Sequence, residues 1–387
     1  MRDAGDVIPL LLAGGGGTRL WPASLLDRPK HLLELPPGSG RSLLAHACER
    51  ARELGARVFA VTTAAQRDSV RAAIPDATVL VEPRGRNTGP CVALSLILIE
   101  RQLAALGWSP ARIDEAVLVV MPSDHHVADG RAFVDALAAA ADHARAGRCV
   151  TTLGITPDRP ATAYGYIERG PAPLELVGAP PAYAGLRFVE KPDAARARHF
   201  LESGRFLWNA GVFAATVATL RAAFHEHAPT LLATLAAADD ATLPTAYDAV
   251  EPVAFDVAIM ERLPGFRVIP AAFSWSDLGS WQSVHEALPS DARGNTSHAA
   301  GGRSVALIDA DDCLVWSEEA DVAVIGVRGL AVVCAHGRAL VCPLQRAQEV
   351  REAARQLEDR GLPERSGDAA GKRVVRTPGG DDPSAAT

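Results

Sequence analysis

The six cysteines are scattered, and no two stand in C-x-x-C spacing. A disulfide framework or a structural zinc site therefore has no basis in the sequence, and a reducing, cytoplasmic setting is the expectation. Basic charge is short as well: 39 Lys and Arg face 46 Asp and Glu, for a formal net charge of −7 and a pI near 5.9. A general nucleic-acid binder would carry a basic face, so no nucleic-acid partner is expected. Local anion binding survives that argument, because a few placed Arg and Lys residues can hold phosphates on an acidic protein. Long apolar runs are missing too. Val7–Ala13 is too short to span a membrane and follows Asp3 and Asp6 rather than a basic cluster, so it is neither a span nor a signal peptide. It reads as a buried strand, and no membrane partner is expected.

What is present is ordinary globular material, 48 % hydrophobic and 22 % charged. Its 387 residues suffice for one large domain and a smaller one. Short apolar runs alternate with longer stretches of helical period, as an α/β sheet requires. Strands are expected at Ile8–Leu12, Arg57–Val61, Thr78–Val81, Val117–Met121 and Val150–Leu153, and helices at Leu43–Leu54, Gln66–Ala73, Pro90–Leu106 and Arg131–Ala146. Polar clusters follow three of these strands at once: Gly14–Arg19, Glu82–Thr88 and Ser123–His126. In open α/β sheets the ligand crevice lies at the carboxyl ends of the strands, so the three clusters converge on one rim.

Beyond Asn295 the pattern changes to short apolar runs separated by turn residues: Val305–Ile308, Cys313–Trp316, Val322–Val327, Leu330–Cys334 and Ala339–Cys342. That spacing predicts a small β-rich domain, for which a left-handed β-helix-like coil is the candidate form. A closing helix is expected at Leu344–Asp359. The segment from Arg365, rich in Gly, Asp, Pro and Ala, is expected to be disordered.

The strongest chemical signal is LLAGGGGTRLWPASLLDRPK, Leu11–Lys30. Four successive glycines let backbone N–H groups approach a phosphate chain where a Cβ would block it. Arg19 and Lys30 add positive charge nearby, and Lys30, as a loop residue, is expected to bury little apolar surface. For a lone glycine cluster a flexible turn would be the better reading. Two familiar alternatives do not match. A Walker A loop needs Gly-Lys-Ser/Thr where this chain has Gly17-Thr18-Arg19, and a G-x-G-x-x-G fingerprint needs a small residue at Arg19.

This block resembles the signature of the nucleotide-sugar pyrophosphorylases, and its Leu20-Trp21-Pro22-x-Ser24 variant is similar to the mannose-1-phosphate guanylyltransferase branch. Seven further motifs follow in that family's order: EPRGRNTGP (Glu82–Pro90), MPSDHHV (Met121–Val127), TLGITP (Thr152–Pro157), YGYIE (Tyr164–Glu168), FVEKP (Phe188–Pro192), WNAGVF (Trp208–Phe213) and WSDLGSW (Trp275–Trp281). They cover roughly residues 7 to 300. The resemblance implies a Rossmann-like nucleotidyltransferase domain over residues 1–294 with a mixed, mostly parallel sheet. The small β-rich domain with its closing helix would occupy residues 295–364, and the tail residues 365–387. The implied reaction joins GTP and α-D-mannose 1-phosphate into GDP-mannose and diphosphate.

The resemblance also assigns residues. Ala13, Gly14, Gly15, Gly16, Gly17 and Thr18 would hold the nucleotide phosphates, and Glu82, Arg86, Asn87 and Thr88 would form the guanine-side loop. A carboxylate such as Glu82 can accept from guanine N1–H and N2–H₂, although a turn acid at a strand end is nearly as good a reading. Ser123, Tyr164, Gly165, Glu168, Glu190 and Asn209 would meet the sugar, and Lys191 its phosphate, as a point charge. Asp124 and Asp277 would bind Mg²⁺ or another divalent cation; sequence alone shows two loop aspartates far apart. Zinc at His125 and His126 is disfavoured, because no third ligand falls at zinc spacing. The catalytic set is then Arg19, Lys30, Asp124, Lys191 and Asp277.

The chain departs from the family pattern at Ala161 and Ala163, where Glu and Gly are usual, at Gly16 for Ser, and at His31-Leu32-Leu33 for Gln-Phe-Leu. Sugar identity therefore stays open, with heptose or glucose 1-phosphate, or another nucleotide, as alternatives. A non-catalytic nucleotide-sugar-binding homologue is a second alternative, disfavoured because Arg19, Lys30 and both aspartates are retained. The chain ends soon after the β-rich part, so the isomerase domain of longer relatives is expected to be absent. A homodimer is an expectation about assembly that the residues themselves do not set.

Overall fold

Four parallel strands come first in the computed structural model, which describes residues 6–271 and 273–358. They are β1 (Val7–Leu12), β2 (Phe59–Thr63), β3 (Thr78–Glu82) and β4 (Val117–Pro122). A two-residue strand, β5 (His126–Val127), precedes β6 (Thr151–Ile155). Then come β7 (Tyr166–Leu176), β8 (Ala179–Val189), β9 (Phe206–Thr216) and β10 (Phe266–Pro270). The nine-stranded sheet has the order β3-β2-β1-β4-β9-β6-β10-β8-β7, with β9 also touching β7. Only β8 and β9 run against the other seven, so the sheet is mixed and mostly parallel.

Both faces of the sheet are covered, as strand alternation demands. Ile8 and Leu10 of β1 join a core with the buried side of helix Thr88–Ala105, while Leu11 joins the opposite core with Leu44, Ala47, Phe133 and Leu137. Each such fully buried leucine contributes about 1.5–3 kcal/mol relative to exposure. Helix Leu43–Leu54 matches the sequence expectation. Its apolar positions recur at 43, 44, 47, 48, 51 and 54, and the Ser42 hydroxyl caps it by accepting from the Ala45 N–H at 3.2 Å. It ends at Gly55, an extended residue with no room for a Cβ, which would strike the Val7 carbonyl of β1. Helix Thr88–Ala105 starts two residues before the expected Pro90, since Asn87 Oδ1 accepts from the Thr88 N–H at 2.9 Å and a proline is tolerated in the first turn. The segment 166–189, unassigned from sequence, is a β7–β8 hairpin turning at Val177–Gly178, with Gly178 at φ 81°.

The remaining strands are β11 (Trp275–Ser276), β12 (Thr296–Ala299), β13 (Val305–Ile308), β14 (Leu314–Ser317), β15 (Val322–Ile325), β16 (Leu330–Ala335) and β17 (Arg338–Pro343). β12, β14 and β16 stack in parallel, as do β13 and β15, and β17 closes the first stack antiparallel. Successive partners lie 17 or 18 residues apart, Thr296 to Leu314 to Ala331, which is a β-helical coil with an imperfect repeat. Val315 and Cys313 point into it beside Val324. Leu314 and Trp316 point the other way, into one apolar cluster with Leu20, Trp21, Leu33, Leu35 and Trp281. The expected closing helix is a 3₁₀ stretch, Leu344–Glu349, running into an α-helix, Val350–Glu358. Asp359 and the tail from Arg365 lie outside the described residues. Among the described residues, no helix is long and apolar enough to cross a membrane.

Candidate active site

β1 and β4 are parallel neighbours with Leu12 opposite Pro122, so the glycine loop and the Ser123–Asp124 loop leave the sheet side by side. Ser123 fastens the two. Its hydroxyl donates to the Leu12 carbonyl at 2.7 Å, and the residue is fully buried and outside the cavity lining, so it is not brought together with the other expected sugar residues. Two of the four glycines have an identifiable requirement. A Cβ on Gly14 would stand 2.7 Å from Glu82 Oε1, and Gly17 has φ 60° with Lys30 Cβ pressed against it. Gly15 is exposed and Gly16 half-buried. Ala13 is buried, donating to Val61 and accepting from the Thr62 hydroxyl. Thr18 and Arg19 open a short 3₁₀ turn, Thr18–Leu20, with Arg19 exposed and free of ion pairs among the described residues.

The antiparallel bridge of β5 with β11 brings the Asp124 and Asp277 loops together from distant parts of the chain. Lys30 joins them. Its ammonium donates to Asp124 Oδ2 at 2.9 Å and to the Asp277 backbone carbonyl. Lys30 is 5 % exposed, which overturns the expectation that it buries little. Burial alone would push the Asp124 carboxyl up, but the Lys30 ammonium, aided by His125 and His31, holds it well below the usual carboxylate range. Asp277 Oδ1 accepts from the Tyr164 hydroxyl and the Gly279 N–H, both at 3.0 Å. Leu278 next to it is left-handed at φ 45°, a strained position for a branched residue. Burial pushes His125 below its usual range, and its Nδ1 faces the Trp275 indole N–H at 3.2 Å.

A cavity of about 190 Å³ opens beside this cluster, lined by Thr88, His125, Ala163, Tyr164, Gly165, Glu190, Asn209, Asp256, Trp275 and Asp277 among others. The expected sugar residues Tyr164, Gly165, Glu190 and Asn209 meet there. Glu168 does not. It stands on β7 opposite Arg187, and its carboxylate is held by Arg187 at 3.0 Å and Arg205 at 3.4 Å. Lys191 sits beside the cavity-lining Glu190 rather than among the lining residues. It is left-handed at φ 44°, 60 % exposed in its side chain, and its ammonium pairs with the Glu190 carboxylate.

On the other side of the glycine loop, Glu82 ends β3 at 3 % exposure. Its Oε2 accepts from the Tyr247 hydroxyl, and burial pushes its carboxyl up to about 7, with the Tyr247 bond pulling the other way. The guanidinium of Arg86 donates to the carbonyls of Val250 (3.0 Å) and Asp248 (2.6 Å), and the Thr88 hydroxyl accepts from the Phe255 N–H at 2.8 Å. Asn87, at φ 69°, spends its side chain on the helix cap. Arg86 and Asn87 thus shape the loop through contacts within the protein.

Sequence reasoning missed Asp256, Tyr247, His125 and Trp275 as site residues. His125 belongs to MPSDHHV, where the sequence offers it only as a disfavoured zinc ligand. Tyr247 and Asp256 sit in short helices, Leu243–Ala249 and Phe255–Ala258, outside every motif. Among the described residues no group of three or more His, Cys, Asp and Glu is placed to hold a metal. Asp124 and Asp277 offer two hard carboxylates beside one cavity, a donor set that fits Mg²⁺ or another divalent cation completing its shell with phosphate and water.

The family model described as nucleotidyl transferase matches residues 8–294, and one described as MannoseP isomerase/GMP-like beta-helix domain matches residues 302–357. The chain is 32 % identical over 374 residues to the xanthan biosynthesis protein XanB of Xanthomonas campestris pv. campestris, covering 93 % of this chain and 75 % of that one. It is 31 % identical over 367 residues to a mannose-1-phosphate guanylyltransferase of Escherichia coli, covering 91 % and 74 %. A crystal structure from Thermus thermophilus, described as a mannose-1-phosphate geranyltransferase, superposes with a TM-score of 0.79 at 34 % identity, over 91 % of this chain and 99 % of that one.

Proposed function

Since the chain belongs to the nucleotidyl transferase family, we propose that it transfers a guanylyl group from GTP to mannose 1-phosphate, yielding GDP-mannose and diphosphate. The observation that carries this reading is the buried Lys30 ammonium, set between Asp124 and the Asp277 carbonyl at the mouth of the glycine loop. The names of the relatives support the choice of nucleotide and sugar.

The attacking group is already a phosphate anion, so neither a nucleophilic side chain nor a general base is required. The work left to the protein is alignment and cancellation of like charge. The glycine loop would receive the triphosphate, with Arg19 and Lys30 balancing charge on the leaving diphosphate. Glu190, Tyr164 and the adjoining cavity would hold the sugar, and Lys191 would swing from Glu190 to its phosphate. A divalent cation held by Asp124 and Asp277 would neutralise and orient phosphate oxygens. The direct test is diphosphate release from each of four nucleoside triphosphates with mannose 1-phosphate and with glucose 1-phosphate. GTP with mannose 1-phosphate should lead; a clear preference for another pair overturns the assignment.

Lys191→Ala should raise the KM for the sugar phosphate by roughly ten- to a hundredfold, the worth of one charge-assisted contact of about 1.5–3 kcal/mol, and leave that for GTP nearly unchanged. Loss of GTP affinity instead would place Lys191 in the nucleotide half.

Glu82 makes a pH prediction. To accept from guanine N1–H and N2–H₂ it must be ionised, and its carboxyl stands at about 7 in the free protein. The GTP-to-ATP ratio of kcat/KM should therefore rise roughly tenfold between pH 6 and pH 8, as the ionised fraction grows. Taking the ratio removes the titration common to both triphosphates. Glu82→Gln should flatten the profile; a flat profile in the unaltered protein removes Glu82 from base recognition.

A further inference from the structure

The far wall of the cavity carries a carboxyl group that the proposed reaction has not used. Asp256 lies at the start of the short helix Phe255–Ala258, and its Oδ1 accepts from Asn209 Nδ2 at 2.9 Å. Asn209 Oδ1 in turn accepts from the Gly211 N–H at 3.0 Å. Both arms of the asparagine are therefore committed inside the protein, and its orientation is fixed. Asn209, which lines the cavity itself, thereby also positions Asp256.

Glu190 faces the same space. Its Oε2 lies 2.8 Å from where a Cβ of Gly165 would be, so that glycine leaves room for it, while Oε1 takes the Lys191 ammonium. Three carboxyl groups, those of Glu190, Asp256 and Asp277, thus line one small cavity; Asp277 Oδ1 takes the Tyr164 hydroxyl, and in the free protein the Lys191 ammonium pairs with Glu190. The Glu261 carboxylate adds negative charge from the next turn, where it accepts from the Glu190 N–H at 2.9 Å. Glu190, Glu261 and Asp256, with one lysine among them, cannot all ionise without cost. Neither Asp256 nor Glu261 has an ion pair among the described residues, and of the two only Asp256 lines the cavity.

We propose that Asp256 is a specificity-determining residue of the sugar pocket: it keeps its proton and donates it from Oδ2 to one ring hydroxyl, while the Glu190 carboxylate accepts from a neighbouring hydroxyl. A donor and an acceptor side by side suit a vicinal diol, which offers one oxygen to accept and one O–H to give. The inference rests on the reading of this cavity as the sugar site. Its electrostatic basis agrees with the geometry. Burial, then the Glu190 charge, push the Asp256 carboxyl up to about 7, and Lys191 opposes them only weakly. At neutrality about half of the molecules therefore hold the proton, and it is lost as pH rises toward 9.

Asp256→Asn gives a clean test, because an amide can keep the carbonyl toward Asn209 and present its N–H₂ where the acid proton was. The measurement is the KM for the sugar 1-phosphate that the wild type turns over, from pH 7 to pH 9, with the nucleotide saturating. In the wild type this KM should rise roughly fiftyfold over that range, as the protonated fraction of Asp256 falls from about a half to about a hundredth. In Asp256→Asn it should match the wild-type value at pH 7 and stay flat. Asp256→Ala should hold it at least tenfold above the wild-type pH 7 value at every pH, with the KM for the nucleotide unchanged. A wild-type KM that is flat from pH 7 to pH 9, or an Asp256→Asn variant that follows the wild-type rise, overturns the proposal. A wild type without turnover on any sugar 1-phosphate defeats the reading of the site itself, which is a separate outcome.

Discussion

Lys30→Ala should lose roughly 10²–10³-fold in turnover, the usual cost of removing one fixed donor from developing charge. Diphosphate release at saturating GTP and sugar phosphate reads it directly. The structure adds a stability cost that a loop lysine would not carry. Lys30 is 5 % exposed and is the partner that keeps the Asp124 charge tolerable in a cramped setting. Removing one member of a buried pair costs about 3–5 kcal/mol, but the Asp124 side chain keeps 35 % of its surface in solvent, so about 1–3 kcal/mol is expected. Denaturant melts should show this loss beside the kinetic one. Lys30→Arg should recover part of the stability and little of the rate, because a planar guanidinium is wider than the ammonium that Asp124 and the Asp277 carbonyl enclose. Near wild-type turnover in Lys30→Ala would remove the residue from the chemistry.

Asp277→Asn should cost a comparable factor, roughly 10²–10³-fold, and raise the Mg²⁺ concentration needed for half-maximal rate. Thermal stability should hardly change. The amide oxygen can still accept from the Tyr164 hydroxyl and the Gly279 N–H, which are the contacts that fix the side chain. Its backbone carbonyl, the part that Lys30 uses, is untouched. Shape and local bonding persist while the charge that attracts a hard cation is gone. Full activity at unchanged Mg²⁺ would show that Asp277 is no ligand, and the two-carboxylate arrangement would then have to be abandoned.

The rim of the site was legible in the sequence because parallel strands deliver their following loops to one edge. Gly14–Arg19, Glu82–Thr88 and Ser123–His126 could be placed there from strand positions alone. What the sequence could not give is which side of a loop each group takes. Ser123 spends its hydroxyl on Leu12, a contact set by strand register. Glu168 is drawn off by a cross-strand partner, Arg187, on a hairpin that the apolar pattern did not reveal. The burial of Lys30 depends on the carbonyl of Asp277, which only the β5–β11 bridge brings near. Asp256 lay in a four-residue helix with no periodic signal and no motif, so only its contact with Asn209 shows its place. The coil was legible as short apolar runs, but its uneven spacing hid which runs stack.

The apolar cluster that joins Leu20 and Trp21 to Trp316, Leu340 and Leu344 has a thermodynamic consequence for the glycine loop. Trp281 pins the same place by donating its indole N–H to the Trp21 carbonyl at 2.9 Å, and Arg28 reaches Glu318 of the coil at 2.5 Å. A loop that meets substrate is ordinarily the first part of a protein to open, with little free energy needed for local unfolding. Here the segment just after the glycines cannot open without stripping the coil of its packing. The two should therefore melt as one cooperative unit, and slow amide exchange at Leu20 and Trp21 should track that of Trp316. A ligand that tightens the glycine loop would then protect the coil as well, at a distance and without touching it.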